Sequence, residues 1–182
     1  MPTRVLTLCT GNAARSVMLG VFLEHLAGFS GSDLVVRTAG TLTVSQQPAG
    51  MRVRNAIRSI PEFEHLTLGS HRSTQLDDGL ADWADLIVAM ERDHVRYVRN
   101  RHPQAAARTA TIYRILEQLG TDAGPLRARL SGLGLETVDV DADREVVDPA
   151  GHEDDVYEAV AHELWGLALP LHELLDLSSS AG

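Results

Sequence analysis

Residues 8–18 read LCTGNAARSVM and connect an apolar run to a segment with helical periodicity. The run predicts a short buried strand at Arg4–Leu8, and the apolar stripe that follows predicts a helix at Ser16–Ala27. A tight loop between a strand and a helix brings backbone N–H groups together, and the helix N-terminus adds partial positive charge. The stretch therefore predicts a phosphate-binding loop between the first strand and the first helix.

The rest of the chain alternates between the same two kinds of segment. Further strands are predicted at Leu34–Thr38, Asp85–Met90 and Thr109–Ile112, and further helices at Gln47–Ile60, Glu91–Asn100, Tyr113–Leu119 and Glu153–Leu177. Nearly all-apolar strands that alternate with helices indicate a parallel sheet covered on both faces. We therefore predict an α/β fold, with three α/β/α layers around a central four-stranded parallel sheet.

The length of 182 residues suits one domain, which we predict at residues 1–177 with a disordered tail at 178–182. Pro170 is expected to bend or break the last helix, because proline lacks a backbone N–H. Residues 120–146 contain four glycines, Pro125 and many charges, and are expected to form a long excursion with little core. Four arginines within Glu91–His102 are expected to form a solvated helix face.

Composition limits the classes of partner and cofactor. The chain has 25 acidic and 16 basic residues and a net charge of −9, which argues against nucleic acid and anionic membranes as partners. A single cysteine favours a reducing compartment, and no apolar stretch approaches the ~20 residues of a membrane span, so a cytoplasmic location is expected. The eight histidines show no metal-ligand spacing, and no nucleotide-binding glycine motif is present, so we expect neither a metal nor an organic cofactor.

The one cysteine, Cys9, has two plausible roles at the end of its strand. A free cysteine there is often a small buried core residue. A thiol beside a helix N-terminus and an arginine is instead a ready nucleophile. Arg15 offers a planar fork that matches two phosphate oxygens, and the Ser16 hydroxyl can donate a hydrogen bond to a thiolate. The combination favours the nucleophile.

The run Cys9–Ser16 resembles the signature of the low-molecular-weight protein tyrosine phosphatases, which is a cysteine, five residues and Arg-Ser just after the first strand. The resemblance extends roughly over residues 4–175, apart from 120–146. It rests also on Ala39-Gly40-Thr41 after the second strand, on His71, on the third strand Asp85–Met90 and on Asp148-Pro149. This resemblance implies three catalytic residues, Cys9, Arg15 and Asp148. It implies substrate binding by Thr10, Gly11, Asn12, Ala13, Ala14 and Ser16, with His71 supporting Asn12.

Asp148 would be the general acid, because the leaving oxygen of a phosphoester needs a proton donor. Pro149 restricts Asp148 to extended conformations and stiffens the loop. Asp-Pro can equally be a simple turn before the last helix. Five other carboxylates are alternatives for the acid: Asp154 and Asp155 nearby, and Asp139, Asp141 and Asp143 with less support.

The implied function is a metal-independent protein phosphatase that acts through a phosphocysteine, with phosphotyrosine as the leading substrate. Its partner would be a phosphorylated protein or a small phosphomonoester, and inorganic phosphate would be both product and inhibitor. One alternative is an arsenate reductase that uses an external small thiol. Another is a non-catalytic module that binds a phosphorylated ligand.

Several positions depart from the family pattern. The family usually has an aromatic residue soon after Asp-Pro and often another after Ala-Gly-Thr, whereas this chain has Ala150 and Gly151 in the first place and Leu42–Ser45 in the second. Tyr157 or a side chain from 120–146 is expected to line the mouth instead. Ala14 stands where many members carry a second cysteine. Ala13 is smaller than the usual isoleucine, and related arginine phosphatases have threonine there.

Overall fold

Four parallel strands form the central sheet of the computed structural model, which describes residues 2–122 and 124–179. They are β1 at Thr3–Cys9, β2 at Leu34–Gly40, β3 at Leu86–Ala89 and β4 at Thr109–Thr111. The spatial order is β2-β1-β3-β4, so β1 lies between β2 and β3. In such sheets, ligands bind just beyond the carboxyl ends of the strands, at the place where the direction of the strand order reverses. Cys9 is the last residue of β1 and lies at that place.

Seven α-helices surround this sheet in the described part of the chain. They are α1 at Arg15–Ser30, α2 at Met51–Arg58, α3 at Asp78–Trp83, α4 at Arg92–Arg101, α5 at Ile112–Gln118, α6 at Leu126–Ser131 and α7 at Asp154–Ser179. Two 3₁₀ turns lie at Pro61–Phe63 and Pro103–Arg108. Within the described residues, no helix is both long and apolar enough to cross a bilayer.

The two faces of β1 belong to different cores, as the alternation of a strand requires. Val5 and Cys9 belong to a large core with side chains of α1, α2, α5 and α7. Leu6 and Leu8 belong to a smaller core with α3, α4 and the second 3₁₀ turn. The predicted three-layer α/β/α fold with a four-stranded parallel sheet is confirmed.

The expectation of little core in residues 120–146 is wrong. Five of its apolar side chains are buried: Leu126, Leu130, Leu135, Val140 and Val146. The expected solvated face of α4 holds only in part, because three of its four arginines contact this segment while Arg101 is exposed. Arg92 pairs with Glu145 at 2.7 Å, Arg96 pairs with Asp141, and Arg99 donates to the carbonyls of residues 135 and 138. These contacts fix the backbone that leads to Asp148.

Two predictions concern the last helix, a bend or break at Pro170 and a disordered tail at 178–182. α7 runs without a break through Pro170 to Ser179, so the proline does not break the helix, and the expected bend stays a prediction. Buried side chains of the large core lie on both sides of the proline, Leu164 and Ala168 before it and Leu171 and Leu175 after it. The disordered tail at 178–182 stays a prediction, because α7 is described to Ser179 and residues 180–182 lie outside the described residues.

Candidate active site

Residues 10–14 form the loop between β1 and α1, and Asn12 is its buried centre. Asn12 has a positive φ of 50°, a conformation that asparagine tolerates better than most residues. Its side-chain amide donates to Ser16 Oγ at 3.0 Å and to Thr38 Oγ1 at 2.8 Å, and its Oδ1 accepts from the Thr74 amide at 2.8 Å. Asn12 therefore fixes the loop to β2 and to the segment beyond it.

His71 supports the same residue from outside the loop, as the resemblance implied. Its Nε2 lies 3.0 Å from the Asn12 carbonyl oxygen and donates to it. Burial lowers the pKa of His71, and the charge of Arg72 acts in the same direction, although the Asn12 contact opposes them. Gly11 has an ordinary negative φ, so the loop turns at Asn12 and does not depend on the backbone freedom of glycine.

The backbone amides of the loop are available to a ligand. In the described part of the chain, the N–H groups of residues 10–15 have no protein acceptor. They lie at the N-terminus of the 16-residue α1, whose macrodipole adds partial positive charge. Such an arrangement binds oxyanions.

Cys9 lies at the base of this loop and is 3% exposed. Its Sγ is 2.9 Å from Ser16 Oγ. Because Ser16 Oγ already accepts a hydrogen from Asn12, its own hydrogen is free to point at the sulfur. The hydroxyl can therefore stabilise a thiolate when the sulfur ionises.

Arg15 is 1% exposed, and three protein groups surround its guanidinium. Nη1 donates to Glu91 and, at 3.0 Å, to the Val146 carbonyl, while Nη2 pairs with Asp148 Oδ2 at 2.8 Å. Three hydrogens remain for an anion, the Nε hydrogen and both Nη2 hydrogens, because among the described residues Nη2 and Asp148 form an ion pair and only Nη1 donates hydrogen bonds to the protein. Glu91 and Val146 thus hold the guanidinium in one orientation.

Asp148 reaches the site from the loop before α7. Its side chain is 44% exposed, and its Oδ1 accepts from the Ala150 amide at 3.1 Å. The alternative acids are absent from the residues that line the cleft. Asp143 is buried against Arg114, Asp141 pairs with Arg96, Asp154 pairs with Arg52 at 2.9 Å, and Asp139 and Asp155 accept from nearby amides. The structure brings Asp148 alone of the six to Arg15.

The loop opens into a cleft of about 520 Å³. Met51 of α2 and Tyr157 of α7 form its walls with Ala13 and Ala150. Tyr157 therefore lines the mouth, as predicted, and the Arg52 guanidinium lies 5.8 Å from the centre of its ring. No three His, Cys, Asp or Glu side chains among residues 2–122 and 124–179 are grouped to hold a metal ion.

His94, which the sequence analysis did not single out, connects two parts of the site. Its Nδ1 accepts from the Glu91 amide at 3.1 Å, and its Nε2 lies 2.9 Å from Thr10 Oγ1. Burial, followed by the charge of Arg15, lowers the pKa of His94 from 6.5 to about 4. The ring is therefore neutral at physiological pH.

Acidification is expected to destabilise the fold through His94. Because its folded pKa of about 4 lies below the ordinary 6.5, the unfolded chain binds more protons between these values. The stabilising contribution is complete above pH 6.5 and is lost as the pH falls toward 4. Urea midpoints at about pH 7.5 and about pH 5 measure the loss, and His94→Gln should show a smaller drop. If the urea midpoint fell equally in the native protein and in His94→Gln, the pH dependence would not come from His94.

Comparisons with known proteins agree with this geometry. The family described as low molecular weight phosphotyrosine protein phosphatase matches residues 4–128. A protein-arginine-phosphatase of Geobacillus stearothermophilus is 29% identical over 178 residues, covering 97% of this chain and 98% of that protein.

Solved structures share the fold over nearly the whole chain. An arginine phosphatase from Geobacillus stearothermophilus is 27% identical with a TM-score of 0.73, covering 94% of this chain and 92% of that one. A low molecular weight protein tyrosine phosphatase from T. tengcongensis is 26% identical with a TM-score of 0.73, and the match covers 93% of this chain and 97% of that one. With its matching sequence and its shared fold, the chain belongs to the low molecular weight phosphotyrosine protein phosphatase family.

Proposed function

We propose that this chain is a metal-independent protein phosphatase in which Cys9 attacks phosphorus. One observation carries the proposal. The sulfur lies at the base of a loop with unpaired amides, and Arg15 and Asp148 approach that loop from two other elements. The family supports phosphatase chemistry. The residue roles are inferred from the geometry, and the substrate from the geometry together with a relative.

In the first step, the loop amides and the remaining donors of Arg15 bind the phosphoryl oxygens. The Cys9 thiolate forms a bond to phosphorus as the bond to the leaving group breaks. Asp148, in its protonated form, gives its proton to the leaving atom. The products of this step are a phosphocysteine and the dephosphorylated side chain.

In the second step, water attacks the phosphocysteine and Asp148 takes a proton from it. The bond between sulfur and phosphorus breaks, and Cys9 leaves as a thiolate stabilised by the Ser16 hydroxyl. Inorganic phosphate then dissociates. Because the same loop binds product and substrate, phosphate is expected to inhibit competitively.

Phosphoarginine in proteins is the substrate that we place first. Support comes from the relative of matching length, which is a protein-arginine-phosphatase. The cleft also lacks a second aromatic wall for a phosphotyrosine ring, because Tyr157 is the one aromatic side chain among its described lining residues. Asp148 places a carboxylate at the mouth, where it can contact a cationic guanidinium. Phosphotyrosine is the second candidate, and Tyr157 favours it because an aromatic ring can stack there.

Phosphate release from matched peptides tests the function and the substrate together. Two peptides of one sequence would carry phosphoarginine or phosphotyrosine, with a metal chelator present and Cys9→Ser as the control. A higher kcat/KM for the phosphoarginine peptide supports the first candidate, and the reverse supports phosphotyrosine. Phosphate binding without turnover would instead support a binding module. Consumption of arsenate that depends on a small thiol would support a reductase.

Asp148→Asn is expected to slow poor leaving groups far more than good ones. The amide cannot protonate a leaving oxygen, so phenyl phosphate should lose roughly 10²–10⁴-fold in kcat, whereas p-nitrophenyl phosphate should lose less than about tenfold. Asp155→Asn is the matched control, because Asp155 is exposed and outside the cleft lining. Equal losses on both esters would remove Asp148 from the role of general acid.

A further inference from the structure

His94 lies between the phosphate-binding loop and the N-terminus of α4, and it is 2% exposed. On one side it contacts Thr10, the residue that follows the nucleophile. On the other side it contacts Glu91, the N-cap of α4, whose carboxylate also accepts from the His94 amide and from Arg15. His94 therefore connects the two groups of donors that can bind an oxyanion, the loop amides and the Arg15 guanidinium.

The hydrogen bonds determine the tautomer of the ring. The Glu91 amide can only donate, so Nδ1 of His94 must be the acceptor and carry no hydrogen. The hydrogen is therefore on Nε2, which donates to Thr10 Oγ1. The lowered pKa of His94 agrees with a neutral ring.

Thr10 is fixed from two sides. Its carbonyl accepts from the Leu42 amide at 2.9 Å, on the side of β2. His94 holds its hydroxyl on the side of β3 and α4. These two contacts orient the first residue of the loop, and so they set the direction in which the following amides point.

We infer that His94 is a positioning residue that couples the phosphate-binding loop, through Thr10, to the orientation of Arg15, through Glu91. The inference rests on the proposed function, since it concerns the same site. His94 touches neither the substrate nor Cys9 in this role. Its effect is to hold both sets of donors in register before the anion arrives, which is preorganisation.

Two conservative variants separate the two contacts of the ring. Asparagine places an oxygen where Nδ1 lies, so His94→Asn keeps the acceptor for Glu91 and loses the donor to Thr10. Glutamine places its amide near the position of Nε2, so His94→Gln keeps the donor to Thr10. Thr10→Val removes the hydroxyl and preserves the branched shape. His102→Asn is the control, because His102 is also buried but hydrogen-bonds to Asp78 outside the site.

The measurement is the dissociation constant for inorganic phosphate by calorimetry, together with urea unfolding of each variant at neutral pH. We expect His94→Asn and Thr10→Val each to weaken phosphate binding about tenfold, the value of one hydrogen bond. The double variant should be no weaker than the weaker single variant, because both remove one contact. His94→Gln keeps the donor to Thr10 but loses the acceptor for Glu91, so it should weaken phosphate binding by about threefold or more through a less well oriented Arg15. His102→Asn should lower only stability.

Unchanged phosphate affinity in His94→Asn and Thr10→Val, or additive losses in the double variant, would overturn the inference. Because the measurement is binding, it remains decisive if the native chain binds phosphate but hydrolyses nothing. In that case the proposed catalytic function fails and the coupling by His94 is still tested. If the native chain does not bind phosphate, both proposals fail.

Discussion

Cys9→Ser is expected to retain phosphate binding and to lose turnover by at least about 10⁴-fold. Serine has nearly the shape of cysteine, so the loop amides and Arg15 keep their positions around the anion. Its hydroxyl is a far weaker nucleophile without a neighbouring base, and Ser16 Oγ, 2.9 Å from the sulfur, acts here as a hydrogen-bond donor. Loss of the thiolate charge also removes repulsion toward phosphate, so the anion should bind at least as tightly.

Two measurements check this prediction. Phosphate release should be lost in Cys9→Ser while calorimetry with inorganic phosphate shows preserved affinity. Acid-quenched mass spectrometry of the native chain during turnover should show a phosphorylated Cys9 peptide that is missing in the variant. Substantial residual turnover in Cys9→Ser would show that Cys9 is not the nucleophile.

Gly40→Ala is expected to disrupt the phosphate-binding loop from a neighbouring strand. Gly40 ends β2, and a Cβ there would overlap the Thr10 carbonyl oxygen and lie 2.8 Å from the Asn12 amide nitrogen. The backbone has little freedom to yield, because the Thr41 amide is bound to the Cys9 carbonyl at 2.9 Å. Strain of this kind costs about 1–3 kcal/mol of stability, and the displaced amides should lower kcat/KM by about 10²-fold or more.

Gly28→Ala is the matched control for this substitution. Gly28 lies inside α1, and a Cβ at that position meets no atom within 4 Å. Alanine there should raise stability by roughly 0.5–1 kcal/mol, because glycine weakens a helix interior, and turnover should not change. Urea unfolding and p-nitrophenyl phosphate turnover of the two variants would show whether Gly40 is special. Native-like turnover in Gly40→Ala would show that the phosphate-binding loop does not need a glycine at the end of β2.

The local part of the site could be predicted from the sequence because its determinants are adjacent. The run Cys9–Ser16 places the sulfur, the loop and Arg15 within one turn between a strand and a helix. The alternation of apolar strands with helices likewise predicts the sheet. Asp148 was reached through a resemblance, and the structure brings it to Arg15 across 133 residues of sequence.

The sequence did not predict that three further residues belong to the site: Glu91, His94 and Val146. A carboxylate just after β3 could have been noticed, because the carboxyl ends of neighbouring parallel strands meet at one edge of the sheet. His94 lies in an arginine-rich helix, and that composition predicted a solvated face rather than a buried histidine. Val146 contributes a backbone carbonyl to Arg15, and no residue type signals such a contact. The apolar residues of 120–146 lack a clear period, so their burial depends on tertiary packing.

The contact between Arg15 and the Val146 carbonyl spans 131 residues, and it bears on how the protein is made. The loop leaves the ribosome well before the partners of its arginine, which are residues 91, 146 and 148. A nascent chain that ends before residue 146 can form much of the sheet yet cannot complete the burial of that cation. The arginine therefore acquires its full set of partners only after residue 148 has been synthesised, and a chain interrupted earlier has Cys9 and Arg15 without Asp148.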